Sequence, residues 1–350
     1  MNLTSLKQKL LTLLKSPQTL QELSTKRLTI CPAERRWTPP AIFLEDDLDK
    51  VTGLMDDTNW EQERLRIHGG EIEHAATMAY TLQNCELLDG NLYKDAARLR
   101  LTQQPRRLVT EDIEETIPEA ALAATYYGSF YFGHWLTDDL TLYLAAESMG
   151  QPIKPARRAY SHEPGYLELL QMRPYSVKRA RFAHLTLFDD IGQNSYKLKR
   201  YQQIRERLRK GAAPANAGGK IMIRRGQLGA ARVLTNAEQI EQLLLAQGFS
   251  IINPETSSVH EIVSALLDAR LVVGLEGSQM LHAFYAMSET GGLCVLQPPN
   301  RFNNVLKNYT DCLGIRYGFV TGKADAGGFN INPNELMKVL DKIDSALAAG

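Results

Sequence analysis

The sequence predicts an α/β protein of two domains, the second built on a parallel sheet. Three observations carry this reading. Past Lys220, short apolar runs alternate with helical stretches of ten or so residues, the signature of right-handed βαβ units. Gly211–Gly219, with small residues, one proline and no large apolar anchor, reads as an interdomain hinge. The 350 residues exceed what one hydrophobic core usually holds. The domains are therefore expected at 1–210 and 220–332, with a closing helix at 333–350.

In chain order, the N-terminus alternates leucine with Lys7, Gln8, Lys9 and Lys15, which predicts an amphipathic helix rather than a secretory signal. Such a helix packs on its own domain or touches a partner or membrane surface. Between 37 and 118 the candidate strands are Ala41–Leu44, Glu71–Glu73, Glu86–Leu88 and Arg107–Val109. Helical character is expected from about Glu119. From His134 to Glu147 the apolar residues Leu136, Leu140, Tyr143 and Leu144 recur at helical spacing. Arg157–Tyr160 reads as a strand, Gly165–Met172 as a helix, Phe182–Phe188 as a strand and Tyr196–Lys210 as a long helix. That helix carries basic residues all round its circumference, as a solvated helix does. After the linker come strand Lys220–Ile223, helix Asn236–Gln247, strand Phe249–Ile252 and helix Val259–Asp268. Leu271–Val273 and Leu293–Leu296 are strands buried on both faces. Asn334–Ala348 is the last helix.

Lysine plus arginine balance aspartate plus glutamate at 40 each, which argues against a nucleic-acid partner. The four cysteines lie far apart with no C-x-x-C, so neither a zinc site nor a disulfide framework is expected and a reducing, cytoplasmic setting fits. No apolar run approaches the ~20 residues of a membrane span.

Two constellations carry chemistry. His134 and Asp138 stand four apart on one helical face, a spacing that suits proton transfer and equally suits a buried histidine satisfied by a neighbouring acid. Asp139 points elsewhere, toward solvent. Around Asp268–Pro299, Gly274 and Gly277 separate a buried strand from a helix that Ser278 is placed to cap. In parallel sheets ligands bind beyond the carboxyl ends of strands. Three stretches lie at such ends: Arg224–Arg225, Pro254–Glu255 and Gly274–Gln279. Arg225 suits a phosphate, and free N–H groups at a helix start suit any anion. On spacing alone an ordinary βα turn accounts for the glycines.

Six stretches carry a family resemblance in order: Ile221-Met-Ile-Arg-Arg225, Arg232-Val-Leu-Thr-Asn236, Gly248-Phe249, Pro254-Glu255, Val272-Val-Gly-Leu-Glu-Gly-Ser278 and Val295-Leu-Gln-Pro298. Upstream, Gly133–Asp138 supplies a His-x-x-x-Asp element. Together, from about Tyr126 to Pro298, they resemble glycosyltransferase family 61, which includes O-linked N-acetylglucosaminyl- and xylosyltransferases and bacterial polysaccharide enzymes such as those of capsule or lipopolysaccharide synthesis. The sequence departs from the pattern in three places. The motif histidine is Glu276, the motif alanine is Ser278, and Asn-Glu has become Asn236-Ala237-Glu238.

The resemblance implies a GT-B architecture: two Rossmann-like domains facing across a cleft, the C-terminal one holding a nucleotide-sugar donor. Transfer to a glycan or polysaccharide hydroxyl would invert the anomeric centre, with no cofactor and no obligatory metal. By that analogy Asp138 is the base and His134 its orienting partner or a phosphate contact. Arg225, Arg224, Asn236, Glu255, Gly274, Glu276, Gly277, Ser278 and Gln279 contact the donor, with Glu276 at the site mouth against ribose hydroxyls or, failing that, repelling the diphosphate. Localisation is then cytoplasmic, with a peripheral contact at the inner membrane face as a secondary expectation. The competing class is a non-catalytic subunit that keeps the fold for binding or assembly. A third reading is an unrelated two-domain sugar-phosphate or periplasmic-type protein, which would have no use for His134 and Asp138.

Overall fold

The computed structural model describes residues 1–14, 16, 18–226 and 231–349; Lys15 of the expected N-terminal helix lies outside them. The strands in chain order are β1 Lys26–Cys31, β2 Glu34–Thr38, β3 Gly70–His74, β4 Thr77–Leu88, β5 Asn91–Lys94, β6 Ala97–Arg100, β7 Glu115–Leu122, β8 Gln151–Pro155, β9 Tyr175–Val177, β10 Arg179–Asp189, β11 Lys220–Ile223, β12 Phe249–Ile252, β13 Leu271–Leu275, β14 Gly292–Gln297, β15 Arg316–Thr321, β16 Lys323–Asp325 and β17 Gly328–Asn330. The helices are α1 Thr4–Leu14, α2 Trp60–His68, α3 Tyr126–Phe130, α4 Phe132–His134, α5 Leu140–Glu147, α6 Glu163–Leu169, α7 Ser195–Gly211, α8 Ala237–Ala246, α9 Val259–Leu266, α10 Leu281–Ala286, α11 Val305–Leu313 and α12 Pro333–Ala349. The chain divides into two compact units, one of Met1–Glu34 with His74–Ile204, the other of Arg35–Glu73 with Arg205–Gly350.

The first unit holds a mixed sheet in the order β6-β5-β4-β10-β7-β8-β9, with β1 pairing on β4. β10 pairs antiparallel with β4 and parallel with β7, so the sheet is parallel on one side only. Its core gathers Leu82, Cys85, Leu92, Leu122, Ile153 and Phe182. Helix was expected near Glu119, and β7 stands there instead. Glu119-Ala-Ala-Leu is a run of good helix formers, but ladders to β10 on one edge and β8 on the other override that propensity. The strand expected at Arg157–Tyr160 lies earlier, at β8, where Pro152 and Pro155 argued against one. No strand forms at Arg107–Val109; the chain pairs next at Thr110, with Asn2.

The second unit holds an all-parallel sheet in the order β12-β11-β13-β14-β15. Counted from β11, that is 2-1-3-4-5, a doubly wound order whose direction reverses between β11 and β13. The expected strands at Lys220–Ile223 and Phe182–Phe188 thus belong to different sheets. Every residue of β13 and β14 is buried, as strands covered on both faces require. Leu271, Val273, Cys294, Leu296, Val339 and Ile343 make its core.

The unit is discontinuous in sequence. Residues 35–73, assigned from sequence to the N-terminal domain, pack on this sheet. Ile42 adds a parallel bridge at the free edge of β15, its N–H donating to Tyr317 O at 2.9 Å and its O accepting from Phe319 N at 3.0 Å. Phe302 N donates to Gly53 O at 2.9 Å, and the Asp47 carboxylate accepts from Thr321 N at 2.9 Å. The fully buried Glu63 accepts from Asn304 N at 2.9 Å and Nδ2 at 3.0 Å and from Thr58 Oγ1 at 2.7 Å, and pairs with Arg66.

The units change inside α7, between Ile204 and Arg205, upstream of the expected hinge. The Gly211–Gly219 stretch is tied into the second unit, Ala215 N donating to Ser264 O and Gly218 N to Asp268 O. The basic residues of α7 are not all solvated either. Lys197, Arg200 and Arg205 are buried. Each has acceptors that a period count does not reveal: Arg205, for one, donates to Phe284 O and Met287 O, closing the carboxyl end of α10, and pairs with Glu289.

Candidate functional site

In the first unit the chemistry gathers beyond the carboxyl end of β7. Thr125 caps α3, its hydroxyl accepting from Gly128 N at 2.8 Å. The helix then passes through one π turn at Trp135–Asp139, closed by Leu140 N donating to Trp135 O. Such a turn carries one residue more than an α turn and recurs at functional sites. It holds two adjacent carboxylates in opposite environments. Asp138 stays partly open, its Oδ2 2.8 Å from His134 Nδ1 and its Oδ1 3.9 Å from Lys197 Nζ. Asp139, expected in solvent, is buried. Its Oδ1 accepts from both Thr125 N and Thr125 Oγ1 at 2.8 Å. Burial pushes its carboxyl up to about 8; the Thr125 donors oppose the shift and Asp138 adds to it. Gly128 makes this possible, since a Cβ there would stand 2.2 Å from Asp139 Oδ1.

Lys197 is held in turn by Asp190, just past the end of β10. Its Nζ lies 2.9 Å from Asp190 Oδ2, and Arg200 grips both Asp190 oxygens at 2.8 and 2.7 Å. Burial would raise the Asp190 carboxyl, but Lys197 and Arg200 hold it below the usual range. The stretches after β7 and β10 therefore meet through Asp138, Lys197 and Asp190. Tyr127 and Tyr131, both about half exposed, stand against His134 with ring centroids 5.5 and 6.0 Å away. This arrangement can orient a histidine, move a proton and present aromatic faces to a ring-shaped ligand.

In the second unit the expected residues gather at the point where the strand order reverses. Arg225, just past β11, donates from Nη1 to Gln279 Oε1 at 2.7 Å and to Glu276 O at 3.3 Å, both just past β13. Gly277 has φ +147°, and a Cβ there would lie 2.0 Å from Arg225 Nη1, so only glycine admits this approach. Gly274 likewise lets Met280 Sδ close over the strand end. Ser278 does not cap the helix. A 3₁₀ turn at Ser278–Met280 intervenes, Gly277 precedes it, and α10 is only six residues long. The site's positive character thus comes from guanidinium groups rather than a helix dipole.

Those groups number three. Arg232 pairs with the Glu276 carboxylate, and Arg301, past β14, acts on the same cluster. Burial lowers Arg225 to about 10, and the neighbouring Arg232 adds to the effect. Burial raises Glu276, while Arg232, Arg301 and Arg225 pull it back. Glu276 lies inside the cluster at 5% exposure rather than at the mouth of the site. It pairs with Arg232, while Glu255 acts on Arg225 as a second acid. Glu255 lies close enough to Gly226 that a Cβ there would touch its carboxyl carbon. Two expected contacts point elsewhere. Arg224 forks onto Glu241 of α8 at 2.7 and 2.5 Å. Asn236 clamps Ile331, Nδ2 donating to its O and Oδ1 accepting from its N.

Sequence reasoning missed Asp190, Asp139 and Arg301 and gave Arg232 no role. Arg301 had one available signal, its place four residues past a strand; Asp190 had a similar one.

The fold and sites define an α/β protein whose doubly wound parallel sheet presents an arginine-lined anion site at its switch point. Residues 132–293 match the model of the family described as Glycosyltransferase 61, a span that includes His134, Asp138, Arg225, Arg232 and Glu276 but not Thr125, Tyr127, Tyr131 or Arg301. No curated protein matches the chain.

Proposed function

We propose that the protein is an inverting glycosyltransferase that moves a sugar from a nucleotide-sugar donor to a glycan or polysaccharide hydroxyl. The family match supports glycosyl transfer as the class of activity. The observation that carries the donor assignment is the convergence of Arg225, Arg232 and Arg301 beyond β11, β13 and β14 around the buried carboxylate of Glu276, with Glu255 acting on Arg225. Clustered guanidiniums are costly unless an anion neutralises them, and a diphosphate presents paired oxygens that such forks match. Gly277–Gln279 would flank the same anion. Glu276 serves as the internal counter-ion of the cluster, which relieves the conflict between an acid and a diphosphate.

In the reaction the acceptor hydroxyl attacks the anomeric carbon and its proton passes to the His134–Asp138 pair, while the bond to the diphosphate oxygen breaks. The arginines stabilise the charge that develops on the leaving group, a role that needs no metal. The geometry favours His134 Nε2 as the proton acceptor, with Asp138 fixing the ring through Nδ1, because both Asp138 oxygens already face a partner. This exchanges the two roles expected from the sequence. Tyr127 and Tyr131 would offer a face to the acceptor sugar. A GT-B arrangement, with the donor on the second unit and the acceptor on the first, is part of the proposal.

Steady-state transfer assays and nucleotide diphosphate titrations on His134→Ala, Asp138→Asn and Arg225→Ala test it. His134→Ala should lose about 100-fold or more in turnover with diphosphate affinity retained, as removal of a general base does. Arg225→Ala should weaken diphosphate binding by about 1.5–3 kcal/mol, the range of a hydrogen bond to a charged group. Wild-type protein that binds no nucleotide diphosphate would move the non-catalytic reading ahead.

A further inference from the structure

Helix α1 is packed inside out. The side chains it buries are polar: Ser5 and Gln8, with Thr4 beside them. Arg106 donates to Ser5 Oγ at 3.0 Å and to Ser5 O and Gln8 Oε1 at 2.6 Å, and Tyr93 OH donates to Ser5 Oγ at 3.1 Å. Gln8 Nε2 donates to Ala96 O, and Thr4 Oγ1 to Glu86. Leu10, Leu13 and Leu14 face the other way, exposed by 52%, 77% and 83%, while Leu6 and Leu11 are half-buried. A helix that only completed its own domain would be turned by half a revolution, leucines inward.

The outward face has an order of its own. At about 100° per residue, the exposed Leu10, Leu13 and Leu14 and the half-buried Leu6 fall within an arc of roughly 100°, with Lys9 and Lys7 at its two borders. Thr4–Leu14 contains no acidic residue. A second segment extends the patch. Thr110 is bridged to Asn2 by paired backbone bonds of 2.8 and 3.0 Å, which brings the exposed Arg107, Leu108 and Val109 beside the start of α1. The nearby acids are occupied, Asp112 by the amino terminus at 2.6 Å and Glu111 by Arg179.

We propose that α1 and the Arg107–Val109 segment form an interfacial docking surface for an anionic phospholipid bilayer. An apolar stripe bordered by lysines matches the boundary between acyl chains and charged headgroups. The leucines enter the hydrocarbon and the lysine stems reach back to the phosphates. At 11 residues α1 is too short to cross a bilayer core of ~30 Å, so it lies along the surface. Its hydrogen-bonded polar face holds it to the protein while the apolar face is buried in lipid.

The test is flotation of the full chain with phosphatidylcholine vesicles, with and without about a third phosphatidylglycerol, at low and high salt. Wild type should float with the anionic vesicles and be partly released by salt. Leu13→Ser/Leu14→Ser should reduce partitioning at least about tenfold, since each change withdraws most of a buried leucine. Its unfolding temperature should be unchanged, because those side chains touch little of the chain. Lys7→Glu/Lys9→Glu, which keeps the leucines, should weaken binding to anionic vesicles and abolish its salt dependence. Failure of wild type to float with anionic vesicles overturns the proposal, as does equal flotation of the leucine variant. A micromolar dimer that Leu13→Ser/Leu14→Ser dissolves, without vesicle binding, would assign the face to a second copy instead.

Discussion

Asp138 and Asp139 are neighbours in opposite surroundings, the first partly open and the second buried. The π turn points one at the half-buried His134 and the other into a socket made by Thr125 and Gly128. Asp139 carries a stability consequence with a definite sign. Its carboxyl is raised from an ordinary 3.8 to about 8, so the folded chain holds this proton more tightly than the unfolded one. Its contribution is greatest below about pH 4 and is lost as pH rises toward 8. Unfolding free energy should fall across that window by up to about 1.4 kcal/mol per pH unit, and Asp139→Asn should flatten the slope. Urea melts at pH 5 and pH 8 measure it; equal slopes in both proteins would show that Asp139 is already ionised.

At the level of elements, α2 ties the 35–73 segment to the second unit, although its own sequence is largely polar. Trp60–His68 is polar almost throughout, yet it delivers Glu63 to a site where Asn304, Thr58 and Arg66 converge. Glu63→Ala should cost about 3 kcal/mol or more, because it strands a buried asparagine and leaves an arginine unpaired. Calorimetry should place the loss in the transition of the second unit, and a change under 1 kcal/mol would mean that water replaces the carboxylate. Such residues mark the limit of what the sequence discloses. The strands β11, β12, β13 and β14 were legible to within a residue or two, because each is a short apolar run with glycine, proline or asparagine at or near one end. His134 and Asp138 were legible from a spacing of four. Arg232 and Arg301 were not, because nothing local says that two arginines 69 positions apart and a glutamate between them share one cluster. Asp139 was misplaced because a 3.6-residue period does not anticipate an inserted π turn. Residues 35–73 were misassigned because their partners lie more than 200 positions away, as the 241 between Glu63 and Asn304 illustrates.

For the molecule as a whole, the division of the chain matters more than any single contact. The second unit is assembled from two separate segments, and the first unit's 74–204 runs between them. Residues 205–350 alone would leave the β15 edge and the Asn304 cluster without partners. That fragment should show no cooperative unfolding, and a peptide of residues 35–73 added in trans should restore it. Cooperative melting of the fragment by itself would mean that 35–73 only decorates a complete sheet. The same division sets a clock during synthesis. Asp47 and Thr321, which bond in the finished protein, are 274 positions apart. At ribosomal rates of 5–20 residues per second, the 35–73 segment waits roughly 15–55 s for its partner strand to be made. Ile42, Phe43 and Leu44 are solvent-facing throughout that interval, and a nascent-chain chaperone would find its binding window there.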